Sequence, residues 1–229
     1  MAKNSKKAEE NIQAVEQALG KSERFIEENQ KPITIILIVL VAIVLGYFGF
    51  QRYYIQPKEE KAQKDMFMAE KYFGQDSLAL ALSGDGINPG FLDIARRYKF
   101  TKSAGLANYY AGAIYMKQGE FNLAIDHFKK FKSKDQLLRP MALGATGDAY
   151  VELGNNSKAV DYYLKAAKAS KNEFTSPVFL LKAGWTYELM NDYKSAIDVY
   201  KRIREEFPTS NEARELEKYI ARAEGMLKK

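Results

Sequence analysis

The sequence predicts an all-α protein in which a single N-terminal transmembrane helix precedes an α-solenoid of helical hairpins. Two observations predict this class: one long uncharged run near the N-terminus, and three later segments that repeat a single pattern in phase. A third excludes alternatives. The chain has no cysteine, which removes disulfides, thiolate metal sites and a cysteine nucleophile.

The run is Ile33 to Phe50, ITIILIVLVAIVLGYFGF, without a charged residue. At the helical rise it spans roughly 27 Å, close to the hydrocarbon thickness of a bilayer. Tyr47, Phe48, Phe50, Tyr53 and Tyr54 follow as an aromatic belt with Arg52 beside them, a composition suited to the lipid–water interface. A cleaved signal has a short basic leader and small residues at its end. Here 32 residues precede the run and bulky aromatics end it, so a retained signal anchor over 33–54 is expected. Lys21, Arg24 and Lys31 on one side balance Arg52, Lys58, Lys61 and Lys64 on the other. Flanking charge therefore leaves the orientation open. Residues 1–32 are expected to form a short helical segment with Ile12, Val15, Leu19 and Ile26 along one stripe, and Lys31-Pro32 is expected to break it from the membrane helix.

The three repeats begin at Gly105, Pro140 and Pro177. In each, a glycine (Gly112, Gly147, Gly184) precedes a tyrosine by three residues (Tyr115, Tyr150, Tyr187). An alanine follows nine residues later (Ala124, Ala159, Ala196), then an aromatic four further on (Phe128, Tyr163, Tyr200). Small residues let the two helices of a hairpin approach, and the i, i+3 and i, i+4 pairs each share one helical face. Gly119, Gly154 and Asn191 lie in the intervening turns, where a left-handed residue ends a helix. These residues resemble tetratricopeptide repeats at about 105–139, 140–176 and 177–208. The first apolar position of the repeat is Asn108, Leu143 and Leu180, and the closing proline appears only as Pro208.

Residues 55–104 are expected to supply a linker helix from Lys58 to Leu82, with Met66, Ala69, Tyr72 and Phe73 on its apolar face, and a capping unit after the SGDGINPG turn. Residues 209–229 supply a closing helix with Ala213, Leu216, Ile220, Ala223 and Leu227 inward. A repeat stack needs such ends because one hairpin cannot bury its own face.

This plan resembles the YfgM-like family, ancillary subunits of the bacterial SecYEG translocon, and membrane-anchored repeat proteins of Bacteroidetes. The resemblance implies a single-pass protein of the bacterial inner membrane, N-terminus cytoplasmic and repeats periplasmic. It implies protein partners: Sec translocon subunits, a membrane-anchored periplasmic chaperone or translocating polypeptides. The family's register implies a concave peptide groove lined by Tyr109, Ala113 and Met116, then Met141, Asp148, Val151 and Glu152, then Val178, Leu181, Trp185 and Glu188. Two other readings stay open: a structural scaffold of another envelope assembly or secretion complex, and an import receptor facing a eukaryotic cytosol.

No catalytic, metal or cofactor motif appears, and no enzyme is expected. The one histidine, His127, reads as an ordinary boundary residue of a repeat helix. The net charge of +6 is spread among carboxylates, so nucleic-acid binding, which needs a concentrated basic footprint, is not expected.

Overall fold

The computed structural model describes residues 27–228, and the helix expected before residue 27 lies outside them. Among the described residues there is no strand, only an isolated bridge between Gly84 and Pro89. The chain divides into two compact units at Gln56/Pro57.

The first unit contains α1 (Gln30–Phe50), closed by a π-helical turn, Gln51–Ile55. None of the residues of α1 is buried, and it is long and apolar enough to cross a membrane. Pro32 sits inside its first turn, and the helical break comes earlier, at Asn29. A first-turn proline lacks only an N–H that has no intrahelical acceptor, so it starts this helix rather than breaking it.

The second unit opens with α2 (Gln56–Gly74) and α3 (Leu78–Ser83), where the sequence predicts one helix. Asp76 takes a φ of 57° and Ser77 N–H donates to Tyr72 C=O at 2.9 Å, which ends α2. The pair is a shortened hairpin in the register of the repeats. Ala69, Tyr72 and Ala81 reproduce the spacing of Gly112, Tyr115 and Ala124, and Asp85 stands where the aromatic would be. The Tyr72 hydroxyl donates to that Asp85 carboxylate at 2.6 Å. A short helix, α4 (Phe91–Arg97), then fills the space before the first full repeat.

Six helices form the three repeats: α5 (Lys102–Lys117) with α6 (Phe121–Lys130), α7 (Leu138–Glu152) with α8 (Asn156–Ala169), and α9 (Ser176–Leu189) with α10 (Tyr193–Glu206). The turns are built alike. Gly119, Gly154 and Asn191 have φ of 78°, 70° and 58°. The next residue's N–H reaches back to the carbonyl of Tyr115, Tyr150 or Tyr187 at 2.8–2.9 Å. This reach satisfies carbonyls that a helix end leaves bare. Asn155 and Asp192 then cap α8 and α10 by accepting from Lys158 N–H and Ser195 N–H.

The glycine of each repeat faces the aromatic of the same repeat. A Cβ on Gly112 would lie 2.8 Å from the Phe128 ring, on Gly147 2.7 Å from Tyr163, and on Gly184 2.1 Å from Tyr200. Ala124, Ala159 and Ala196 are fully buried beneath the crossing.

Glu59, in the first turn of α2, binds the start of α5. Its carboxylate accepts from Lys102 N–H at 2.7 Å, Ser103 N–H at 3.2 Å and the Ser103 hydroxyl at 2.7 Å. Burial pushes its pKa up, but the Ser103 bonds, with those from Gln63 and Lys102, outweigh it and hold the carboxyl below its ordinary value. A depressed carboxyl contributes stability that is full above the unfolded pKa and lost as pH falls through the folded one. Glu59→Gln is therefore expected to lower stability by about 1 kcal/mol at pH 7 and to flatten its decline in acid, as read from thermal melts between pH 3 and 7.

The stack ends with a 3₁₀ turn (Glu212–Glu215) and α11 (Leu216–Leu227). Leu216, Ile220 and Ala223 are buried and Ala213 packs partly against them, whereas Leu227 is 57% exposed because α11 outruns the surface it covers. Pro208 is exposed in the loop after α10. The buried apolar side chains form one cluster from Ile125 of α6 through repeats two and three to α11, and a second through α2–α5. Between them lies a small third cluster whose buried members are Ala124, Phe128 and Ala142.

Candidate peptide-binding surface

Nine of the eleven residues that family register assigns to the groove fall into three groups. Tyr109, Ala113, Met116, Val151 and Leu181 are partly buried against the cores. The Tyr109 ring lies 5.8 Å from Phe128 and 5.3 Å from Phe131, and burial pushes its hydroxyl pKa up. Asp148 and Glu188 are engaged within the protein. Asp148 accepts from the Tyr163 hydroxyl at 2.6 Å and from Lys182 at 2.8 and 2.9 Å. Glu188 accepts from the Tyr200 hydroxyl at 2.6 Å and from two Arg222 N–H groups at 2.9 Å each. Burial first, and then these carboxylates, push the Tyr163 and Tyr200 hydroxyls far up. Both carboxylates therefore hold helices together instead of offering charge to a ligand. Glu152 is exposed and Val178 half-buried.

Trp185 and Met141 form the third group: they are 40% and 44% exposed and remain available. Trp185 lies edge-on to Tyr219 of α11, with ring centroids 5.8 Å apart. Together they wall a cleft of about 610 Å³ between α9 and α11. Leu189, Tyr193 and Met226 complete its apolar lining, and the Glu188–Arg222 pair forms its polar wall. Family register reaches only Trp185 and Glu188 of this set. The rest has a signal of its own. Tyr219, Arg222 and Met226 lie at i, i+3 and i+7, a second stripe on α11 beside the inward one.

Part of the positive charge is gathered, contrary to the even spread read from sequence. A second cleft, of about 900 Å³, is lined by Arg96, Lys99, Lys102, Lys129, Lys130 and Lys132 and by no carboxylate. His127 lies at its floor. Asn108, the polar residue at an apolar repeat position, is buried, and its amide donates to Ala104 C=O at 2.8 Å. Its carbonyl oxygen is then left facing His127 Nδ1 at 2.9 Å, so Nδ1 carries the proton and donates. Burial, reinforced by Lys130, lowers the His127 pKa. The lone histidine thus satisfies a buried asparagine.

Two family models coincide with the hairpins. Residues 113–174 match one tetratricopeptide-repeat family model and residues 179–210 match another. Among solved structures, the crystal structure of MamA protein is similar at 19% identity, with a TM-score of 0.48, over 74% of this chain and 89% of that one. No curated protein sequence matches. Residues 113–174 and 179–210 thus carry tetratricopeptide repeats within an α-solenoid of helical hairpins, and such repeats support a protein-interaction module.

Proposed function

We propose that this is a single-pass membrane-anchored interaction module in which α1 crosses the bacterial inner membrane and the repeats face the periplasm. There the repeats associate with the Sec translocon and meet translocating polypeptides or a membrane-anchored chaperone. The observation that carries the binding role is the cleft of Trp185, Tyr219 and Met226, an open aromatic and thioether surface at the end of the stack. Aromatic side chains in such pockets carry much of an interface's energy, and methionine adapts to varied sequences. A bilayer tether raises the effective concentration of a weak groove beside an exit site. The resemblance to the YfgM-like plan supports the orientation and the translocon as partner.

The test is photo-crosslinking in intact cells from a reactive residue at Met141 or Tyr193. Translocon subunits and secreted chains are the expected products, and Trp185→Ala is expected to cut their yield roughly tenfold or more. Recovery of neither class would refute the translocon reading. One stoichiometric partner without a spectrum of clients would assign the repeats to a fixed scaffold.

A further inference from the structure

The basic cleft beside α4 plays no part in the peptide surface. Arg96 is held by Asp93, as is Arg97, and Lys129 donates to the Tyr150 hydroxyl at 3.1 Å with Asp126 nearby. Among the described residues, Lys99, Lys102, Lys130 and Lys132 form no salt bridge, although all four line one cleft. Lys102 and Lys132 also border a neighbouring cleft lined by Glu59, Glu70 and Asp135, whereas the lining they share with Lys99 and Lys130 holds no carboxylate and is attractive to an anion.

Phe100 stands among these lysines, 81% exposed and at a φ of 72°. A left-handed turn position ordinarily takes Gly or Asn, and a bulky ring there is strained. The turn is firmly held: Thr101 N–H and hydroxyl both donate to Tyr98 C=O, and the Tyr98 hydroxyl donates to Asp65 of α2 at 2.7 Å. The ring is therefore presented to the surroundings by a fixed support. An exposed aromatic ringed by lysines is the composition of a membrane-surface contact, where the ring enters the headgroup boundary and the cations meet phosphates.

We infer that this cleft binds the headgroups of anionic phospholipids, so that the repeats rest against the bilayer that α1 crosses. The inference relies on α1 as a membrane span, part of the function proposed above. Each cation close to an anionic leaflet strengthens attachment about fivefold.

The test uses the full chain in lipid nanodiscs, either of neutral phosphatidylcholine or with added phosphatidylglycerol. Lysine acylation is followed by mass spectrometry. In anionic discs Lys99, Lys102, Lys130 and Lys132 are expected to react about threefold more slowly or less, and to recover at high salt. Lys158 and Lys168, on α8, should not change. The Lys99→Gln/Lys130→Gln/Lys132→Gln variant, with its helix content checked by circular dichroism, should lose the lipid dependence at Lys102. Equal reactivity in both discs would overturn the inference. So would protection in neutral discs by a polyglutamate peptide or by inorganic phosphate without protection in anionic discs, which would assign the cleft to a soluble anion. A chain that enters neither disc would overturn the membrane-span reading itself, and this inference with it.

Discussion

Gly184→Ala is expected to lower the stability of the repeat domain by about 1 kcal/mol, although alanine is the better helix former. The added Cβ would sit 2.1 Å from Tyr200 Cε1, and Tyr200 is completely buried. Its ring cannot swing aside cheaply because its hydroxyl is bound to Glu188. Overpacking at such a site costs about 1–3 kcal/mol, against a propensity gain near 1 kcal/mol. Gly144→Ala should behave alike, since its Cβ would meet Phe179 Cε1 at 1.9 Å. Gly225→Ala, with nothing within 4 Å, should be neutral or slightly stabilising. Denaturant titration followed by circular dichroism ranks the three. Pairing Gly184→Ala with Tyr200→Leu should restore part of the loss. If Gly184→Ala unfolds no earlier than Gly225→Ala, the ring-on-glycine account of the hairpin is wrong.

Glu188→Ala should cost more, about 2–3 kcal/mol. The carboxylate joins α9, α10 and α11: Tyr200 reaches it from one side and Arg222 from the other. Its side chain is only 14% exposed, so solvent cannot replace the lost partner for the Tyr200 hydroxyl. Tyr200→Phe removes one bond and should cost about 1 kcal/mol. The double variant should fall short of the sum of the single losses, because both remove the same bond. Strict additivity in that cycle would mean that the network contributes little.

The spacing of Gly, Tyr, Ala and aromatic is legible in sequence because a helical hairpin with one close crossing demands it. Gly147 and Tyr163, for example, must face each other across the hairpin for the ring to lie on the backbone. The contact between Gly144 and Phe179 joins successive repeats and follows from no local period. The upstream hairpin is obscured because Asp85 replaces its aromatic and an added helix stretches the interval. Sequence register also assigns Asp148 and Glu188 to a groove. Register identifies the face of a residue, but not the Lys182 or Arg222 that reaches it from another element. The basic cleft is hidden for the same reason, being assembled from residues 96–102 and 129–132.

The small cluster of Ala124, Phe128 and Ala142 has a mechanical consequence. It joins two much larger buried bodies, and Ile125 is the one buried side chain of α6 that enters the downstream body, so the joint of α6 and α7 is thinner in apolar contact than the joint of α8 and α9. In an array of this kind, cooperativity passes only from neighbour to neighbour. Load or mild denaturant should therefore part the chain near Phe131–Leu137, leaving repeats two and three with α11 folded as one block while the upstream block opens separately.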